Sequence, residues 1–245
     1  LKGYVSAEGG PLEIIPQGLA EPQRRPLAVR TGDSELDRRL ASAIYEVEGA
    51  SLSRTLRAPA EISFVYRSDE VEVRRRIRVP EAGYLLEMST AVRSRGRSLP
   101  YSVVLGPGIG EMSSEPQGDF AQPSVAYYLD GSVQRINTGN AEGEVGPFSL
   151  GARWAAMDSK FFAYAVLYPG GMQAVQVTQE EHFDGRLSGE PDTIPLLVAE
   201  ATLGEESVYA VFIGPNSYET LRAIDPTLGA LIDYGFLSVL VRPLS

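Results

Sequence analysis

The sequence contains no cysteine and only one histidine, and these two scarcities exclude several kinds of chemistry. Without cysteine there can be no disulfide, no thiolate zinc or iron–sulfur site and no cysteine nucleophile. His182 has acidic neighbours at Glu180 and Glu181, but a catalytic zinc takes three protein ligands and a catalytic triad needs a positioned nucleophile. We therefore expect His182 to be a loop residue, and we expect no catalytic residues, no metal site and no cofactor.

Lysine and long apolar runs are also scarce. Lys2 and Lys160 are the only lysines, and the formal net charge of -10 disfavours binding to nucleic acid or broad binding to anionic lipid headgroups. No apolar run approaches the roughly 18 to 20 residues that span a bilayer, and no signal peptide opens the chain. Residues 1–5 instead have the pattern of the middle of a strand, which predicts that the chain begins inside a larger protein.

Strand patterns dominate the sequence. Short stretches of alternating or β-branched apolar residues recur between glycines and prolines, which predicts a mainly antiparallel β protein. The clearest alternation covers residues 70–79, where Arg74, Arg76 and Arg78 share one face and Arg75 interrupts the apolar face. Further strands are predicted at residues 61–66, 84–92, 102–105, 126–128, 163–167, 174–178, 196–202 and 208–213.

Helix signals are few. The apolar spacing within residues 33–44 predicts a short surface helix. Asn216 followed by Glu219 has the pattern of a capping box, and Pro226 would end that second helix. No linker is long enough to divide the chain, so we expect a single domain, with a β-sandwich in residues 1–213 and a C-terminal helical segment in residues 214–245.

Two further motifs have ordinary structural interpretations. Residues 106–110 are glycine-rich like a phosphate-binding loop, but Pro107 removes an amide donor and no Lys-Ser/Thr pair follows, so we interpret them as a turn. The arginines of residues 74–78 suit lipid phosphates or an acidic partner. Their interleaving with glutamates is more typical of a solvated sheet face.

The last dozen residues form the most apolar stretch of the chain. Phe236, Leu237, Leu240 and Leu244 would share one face of a helix, which is the pattern of an amphipathic segment lying in a membrane interface. Taken alone, the same pattern also fits a final core strand or helix, and by itself it favours that interpretation.

Two segments carry motifs that belong together. The first has the pattern Trp-x-Ala-Met-x-x-x-Phe/Tyr-Phe-Ala, at Trp154, Ala156, Met157, Phe161, Phe162 and Ala163. The second contains, in order, Ile213, Gly214, Pro215, Leu221, Pro226, Leu228, Asp233, Tyr234, Gly235, Phe236, Leu237, Arg242, Pro243 and Leu244. In order and spacing these segments resemble the large periplasmic domain in the YidC branch of the YidC/Oxa insertase family. The chain departs from the family at Phe236, where tryptophan is common, and at Ser238, where another aromatic is frequent.

The resemblance implies a β-supersandwich similar to galactose mutarotase, with short C-terminal helices packed against it. It also implies a bacterial inner membrane protein with this domain in the periplasm, a transmembrane helix before it and the insertase core after it. The membrane junction would consist of Asp233, Tyr234, Gly235, Phe236, Leu237, Leu240, Arg242, Pro243 and Leu244. A structural role is implied for Trp154, Ala156, Met157, Phe161, Phe162, Gly214 and Pro215.

The function implied by the resemblance is that of an accessory, non-enzymatic platform for protein interactions, which assists the insertion and folding of inner membrane proteins. The implied partners are the Sec translocon and its SecDF subunits, nascent membrane proteins through the insertase core, and the membrane surface, but not nucleic acid. One alternative is a binding module that holds a sugar, a lipid or an unfolded peptide in a groove of the sandwich. Another is a mutarotase-type enzyme, which a single histidine disfavours.

Overall fold

A computed structural model describes residues 25–48, 55–109, 124–137, 144–145, 150–159, 161–184 and 192–232, with the backbone alone for residues 144–145, 180–184 and 192–195. The strands are β1 (Val29–Arg30), β2 (Glu46–Glu48), β3 (Ala60–Arg67), β4 (Val71–Val79), β5 (Leu85–Ser94), β6 (Arg97–Ser98), β7 (Tyr101–Leu105), β8 (Ser124–Leu129), β9 (Ser132–Asn137), β10 (Glu144–Val145), β11 (Trp154–Asp158), β12 (Phe162–Leu167), β13 (Ala174–Asp184), β14 (Asp192–Leu203) and β15 (Ser207–Pro215). The helices are α1 (Ser34–Ala41), α2 (Tyr218–Ile224) and a 3₁₀-helix (Leu228–Leu231).

The strands of the described residues form two antiparallel sheets. The smaller sheet has the order β1-β7-β14-β13-β10, and the larger has the order β2-β3-β4-β5-β15-β12-β11-β8-β9, with β6 beside β5. The mainly β fold and the sandwich predicted from the sequence are therefore confirmed.

The core lies between the two sheets, because alternate residues of each strand face inward. On β12, Tyr164 and Val166 belong to this core, while Ala163 and Ala165 face away from it. The Tyr164 hydroxyl donates a hydrogen bond across the core to the carbonyl of Val104 at 3.0 Å. Burial raises the pKa of this phenol above its ordinary value, so it stays a donor. The two sheets are thus joined by apolar contact and by a buried hydrogen bond.

Every strand predicted from apolar alternation is present, but the ladder between β13 and β14 is longer than the apolar pattern suggests. The pairing continues to Asp184, and His182 lies in β13 with Ile194 as its partner. The expectation that His182 is a loop residue is therefore wrong. Backbone hydrogen bonds extend the hairpin through a polar stretch that carries no strand signal in its side chains.

Both predicted helices are present, although one cap differs from the expectation. Asp33 caps α1 by accepting hydrogen bonds from the backbone of Glu35 and Leu36 at 3.0 Å. At α2 the cap is Ser217, whose side chain accepts from the Thr220 backbone. The capping box expected at residue 216 is therefore wrong, and the serine one position later satisfies the first turn instead.

Candidate functional site

The larger sheet has an outer face, which is the face turned away from the sandwich core, and this face divides into a charged half and an apolar half. The charged half covers β2 to β5. There Arg74 lies 3.0 Å from Glu48, and Arg78 lies 3.1 Å from Glu61. Arg76 is 3.7 Å from the same glutamate. These arginines are about half exposed, so the charged half is the solvated sheet face that the sequence predicted.

The apolar half covers β8, β11, β12 and β15. The described part of the C-terminal helical segment, namely α2 and the 3₁₀-helix, lies on it. Its sheet residues are mostly small, namely Ala126, Ala156, Ala163 and Ala165, and all are fully buried. Against them pack Leu221 from α2 and, from the 3₁₀-helix, Leu228 and Leu231. Small side chains let a helix approach a sheet closely, so alanine on one side and leucine on the other fill the space between them.

Trp154 is the largest side chain beneath the C-terminal helical segment and is fully buried. Its indole stacks on Tyr128 at 5.9 Å, and its Nε1 donates a hydrogen bond to the Thr227 hydroxyl at 2.9 Å. That hydroxyl donates in turn to the carboxylate of Asp225 at 2.6 Å. Asp225 also lies 3.8 Å from Arg153, so the turn between the two helices is bound to Trp154, the first residue of β11, and to the residue before it.

A second attachment lies where the 3₁₀-helix ends, in a group of Ser124, Arg135 and Asp158 that we call the Arg135 cluster. The Ser124 hydroxyl donates to the Asp158 carboxylate at 2.5 Å, and Arg135 donates to the same carboxylate oxygen at 2.9 Å. Arg135 also donates to the hydroxyl of Ser124 and to the carbonyl of Leu231. The last carbonyls of a helix lack partners within the helix, and this guanidinium supplies one from the sheet.

The electrostatics of the Arg135 cluster are those of a buried ion pair. Asp158 is 8% exposed, and burial raises the pKa of its carboxyl above the usual value, while the positive charge of Arg135 opposes that rise. The ionised form of the Asp158 carboxyl therefore depends on the positive charge of Arg135. The Arg135 cluster joins three strands to Leu231, and Ile232, the last described residue, follows directly.

The first family motif forms the hairpin of β11 and β12. Trp154 and Ala156 face the C-terminal helical segment, whereas Met157 and Phe162 face the core. Phe161 differs from the others because it lies at the hairpin tip and is 65% exposed. Burial in the core or beneath α2 and the 3₁₀-helix accounts for every side chain of this motif except Phe161.

Gly214 and Pro215 lie at the end of β15, next to the start of α2. A Cβ atom at Gly214 would lie 2.7 Å from the ring of Tyr84, so only glycine allows that ring to pack here. Pro215 pairs with Phe162 at the same end of the sheet. The proposed junction residues lie outside the described residues, and they are Asp233, Tyr234, Gly235, Phe236, Leu237, Leu240, Arg242, Pro243 and Leu244.

Another feature lies inside the sandwich, where Arg75 faces the core from β4 beside Thr90 of β5. Its Nε and Nη2 atoms are buried and have no hydrogen-bond partner within the described part of the chain. Burial raises the pKa of the hydroxyls of Tyr45, Tyr101 and Tyr164, and the positive charge of Arg75 acts against that rise. Arg75 is thus a cation with two unused donors among tyrosines.

The described residues lack both a metal-binding cluster and a membrane-spanning helix. They contain no group of three or more histidine, aspartate or glutamate side chains arranged to hold a metal ion. None of their helices combines the length and the apolar character that crossing a bilayer requires.

The fold and the outer-face site together define a β-supersandwich domain whose larger sheet binds the chain's own α2 and 3₁₀-helix. The model of the YidC periplasmic domain family matches residues 26–245, and the chain belongs to this family. No curated protein matches the chain significantly. Family membership assigns the domain to a membrane insertase and to the periplasmic side of the inner membrane, as the resemblance implied.

Proposed function

We propose that this domain is an accessory platform for protein interactions in a bacterial membrane protein insertase, and that it assists the insertion and folding of inner membrane proteins. The observation that carries the proposal is the attachment of the C-terminal helical segment to the outer face of the larger sheet. Trp154 holds its middle and Arg135 holds its end. A domain attached in this way presents its surfaces in a defined position relative to the residues that follow.

Residues 233–245 are, in this proposal, the connection to the membrane. Their sequence suits an amphipathic helix, with Leu237 and Leu240 in the acyl boundary and Arg242 reaching toward lipid phosphate. The Arg135 cluster supports this role because it fixes the position from which these residues begin.

The proposed partners are the Sec translocon and its SecDF subunits, and nascent membrane proteins through the insertase core. Family membership supports these partners. The charged half of the outer face is exposed, and its paired arginines and glutamates give a polar surface of mixed sign, which suits a reversible protein contact better than a lipid contact.

The proposal predicts the effect of charge on the apolar face of the junction. In the full-length insertase, Leu237→Asp together with Leu240→Asp should detach the domain from the bilayer and reduce client insertion, because each carboxylate would have to be desolvated in the interface. Insertion into inverted membrane vesicles and crosslinking of the domain to lipid measure the two effects. Ser238→Asp with Val239→Asp is the matched control, since it adds the same charge on the opposite helical face. Unchanged insertion and unchanged lipid contact in the first variant would refute this role.

A second candidate function is that of a binding module, and Arg75 is the observation that favours it. Buried donors are normally satisfied, and two unsatisfied guanidinium N–H groups beside tyrosine rings suit a ligand that carries a carboxylate and an apolar or sugar surface. An acidic glycan or an extended apolar peptide with an acidic side chain has this chemistry.

The binding candidate predicts opposite effects of Arg75→Met on stability and on affinity. Without ligand, the variant should be as stable as the wild type or more stable by about 1 to 3 kcal/mol, because an unpaired buried cation is replaced by an apolar side chain of similar length. Isothermal titration with acidic glycans and acidic apolar peptides should show binding to the wild type that the variant loses. Arg74→Met, on the exposed face of the same strand, should change neither quantity appreciably. No binding by the wild type to either ligand set would refute this candidate.

A further inference from the structure

Exposed aromatic side chains lie near the end of the 3₁₀-helix. Asp158 ends β11, and Phe161 follows it at the tip of the hairpin. The guanidinium of Arg135 bonds both Asp158 and the carbonyl of Leu231. The hairpin tip and the position from which residues 233–245 continue are therefore neighbours. We call this end of the larger sheet, at which β11 ends and β12 begins, the exit end.

Tyr84 lies at the exit end as well, in the loop before β5. Its carbonyl accepts a hydrogen bond from the backbone of Ile213 at 3.0 Å, and its ring lies edge-on to Phe212 at 6.3 Å. Phe212 belongs to the outer face, so Tyr84 does too. Tyr84 is 37% exposed and Phe161 is 65% exposed. One end of the outer face thus presents two partly exposed aromatic rings.

The position of these rings identifies what they would contact. Residues 233–245 continue from the exit end, and their apolar face is the proposed membrane attachment, so the exit end faces the same bilayer. Aromatic side chains are favoured at the level of lipid headgroups because the ring is apolar while its edge tolerates water. Lys160, one of only two lysines, precedes Phe161 in the sequence, and a cation adjacent in the chain to an interfacial aromatic suits lipid phosphate.

We propose that Phe161, supported by Tyr84, is a second contact of the domain with the lipid bilayer. The inference rests on the proposed attachment through residues 233–245 and adds to it. A single attachment would tether the domain, whereas a second contact made by the sandwich itself also restricts its orientation. The charged half of the outer face would then be held at a constant angle to the membrane.

The test is binding of the 245-residue chain to vesicles of phosphatidylethanolamine and phosphatidylglycerol. Phe161→Ser should weaken cosedimentation with the vesicles about five- to tenfold, the loss expected for withdrawing most of one exposed aromatic ring from the interface. The matched control is Leu150→Ser, because Leu150 is 77% exposed and lies four residues before Trp154, where β11 begins at the end opposite the exit end. It should leave binding unchanged. Equal binding by the wild type and Phe161→Ser, or no binding by the wild type, would overturn the inference.

A second measurement locates the ring directly. Phe161→Trp should add fluorescence that brominated phospholipids quench, while the fully buried Trp154 gives the unquenched signal of the wild type. If brominated lipid quenches the variant no more than the wild type, the inference fails. The chain with Leu237→Asp and Leu240→Asp separates the two proposals. Loss of vesicle binding in that chain, with normal binding by Phe161→Ser, would leave the attachment through residues 233–245 standing and remove the second contact.

Discussion

Replacing Trp154 with alanine should lower the free energy of unfolding by about 3 to 5 kcal/mol and loosen the C-terminal helical segment from the sheet. The indole is fully buried, stacks on Tyr128 and donates to Thr227. Its removal leaves a cavity beneath the turn that joins α2 to the 3₁₀-helix. Urea unfolding followed by circular dichroism gives the free energy. Hydrogen exchange of the amides in residues 218–232 reports the loosening.

Trp154→Phe is the control that separates packing from the hydrogen bond. The phenyl ring still fills most of the space, so the free energy of unfolding should fall by only about 1 to 2 kcal/mol. Thr227 keeps its bond to Asp225 and loses only the donor from the indole. If the alanine variant unfolds at the same urea concentration as the phenylalanine variant, the packing argument for this residue is incorrect.

Apolar alternation predicts a strand well when one of its faces meets water, and β4 is the clearest case. β4 has buried valines on one face and exposed arginines on the other. β11 has no such alternation, because the sandwich core covers one face and the C-terminal helical segment covers the other. In the sequence, the family motif marks its residues and periodicity does not. The two-residue strands β1, β6 and β10 are too short to carry any period.

The Arg135 cluster could not be predicted from the sequence, because its members come from three strands. Pairing of β8 with β11 sets Ser124 opposite Asp158, and pairing of β8 with β9 sets Arg135 opposite Ala126. No spacing along the chain signals that arrangement. Arg75 is a contrasting case. The sequence showed it as a break in an apolar face, and the structure gives that break a physical meaning, since the guanidinium does face the core.

The sequence predicts only one of the two halves into which the outer face of the larger sheet is divided. The arginines and glutamates of β3 and β4 are evident as a charged face. The alanines that receive the helices lie on β8, β11 and β12, and alanine gives no strong sign of being covered. Whether a small residue in a strand is exposed or covered depends on what packs over it, which is a tertiary property.

Removing the cation of the Arg135 cluster should be as costly as removing Trp154. Arg135→Met should lower the free energy of unfolding by about 3 to 5 kcal/mol at about pH 7.5, because Asp158 would remain buried as an unpaired carboxylate. The carbonyl of Leu231 would also lose its donor. Urea unfolding of the variant and the wild type in the same buffer measures the difference.

The pH dependence of that difference tests its electrostatic origin. Burial already raises the pKa of Asp158, and Arg135 opposes the rise, so its removal raises the pKa further. A carboxyl whose pKa is higher in the folded than in the unfolded protein contributes most to stability when it is protonated. It loses that contribution as the pH rises through the folded-state pKa. The difference in the free energy of unfolding between Arg135→Met and the wild type should therefore become smaller as the pH is lowered from about 7.5 to about 5.

The double variant Arg135→Met with Asp158→Asn separates charge from position. The amide is neutral and can still accept from Ser124, so most of the lost stability should return. A double variant as unstable as Arg135→Met alone would show that the buried charge is not the cause. Because the double variant keeps the fold but not the bond to Leu231, it also isolates the attachment of the C-terminal helical segment. In the full-length insertase it should reduce client insertion while the domain stays folded, since residues 233–245 would then begin from a position that the sheet no longer fixes.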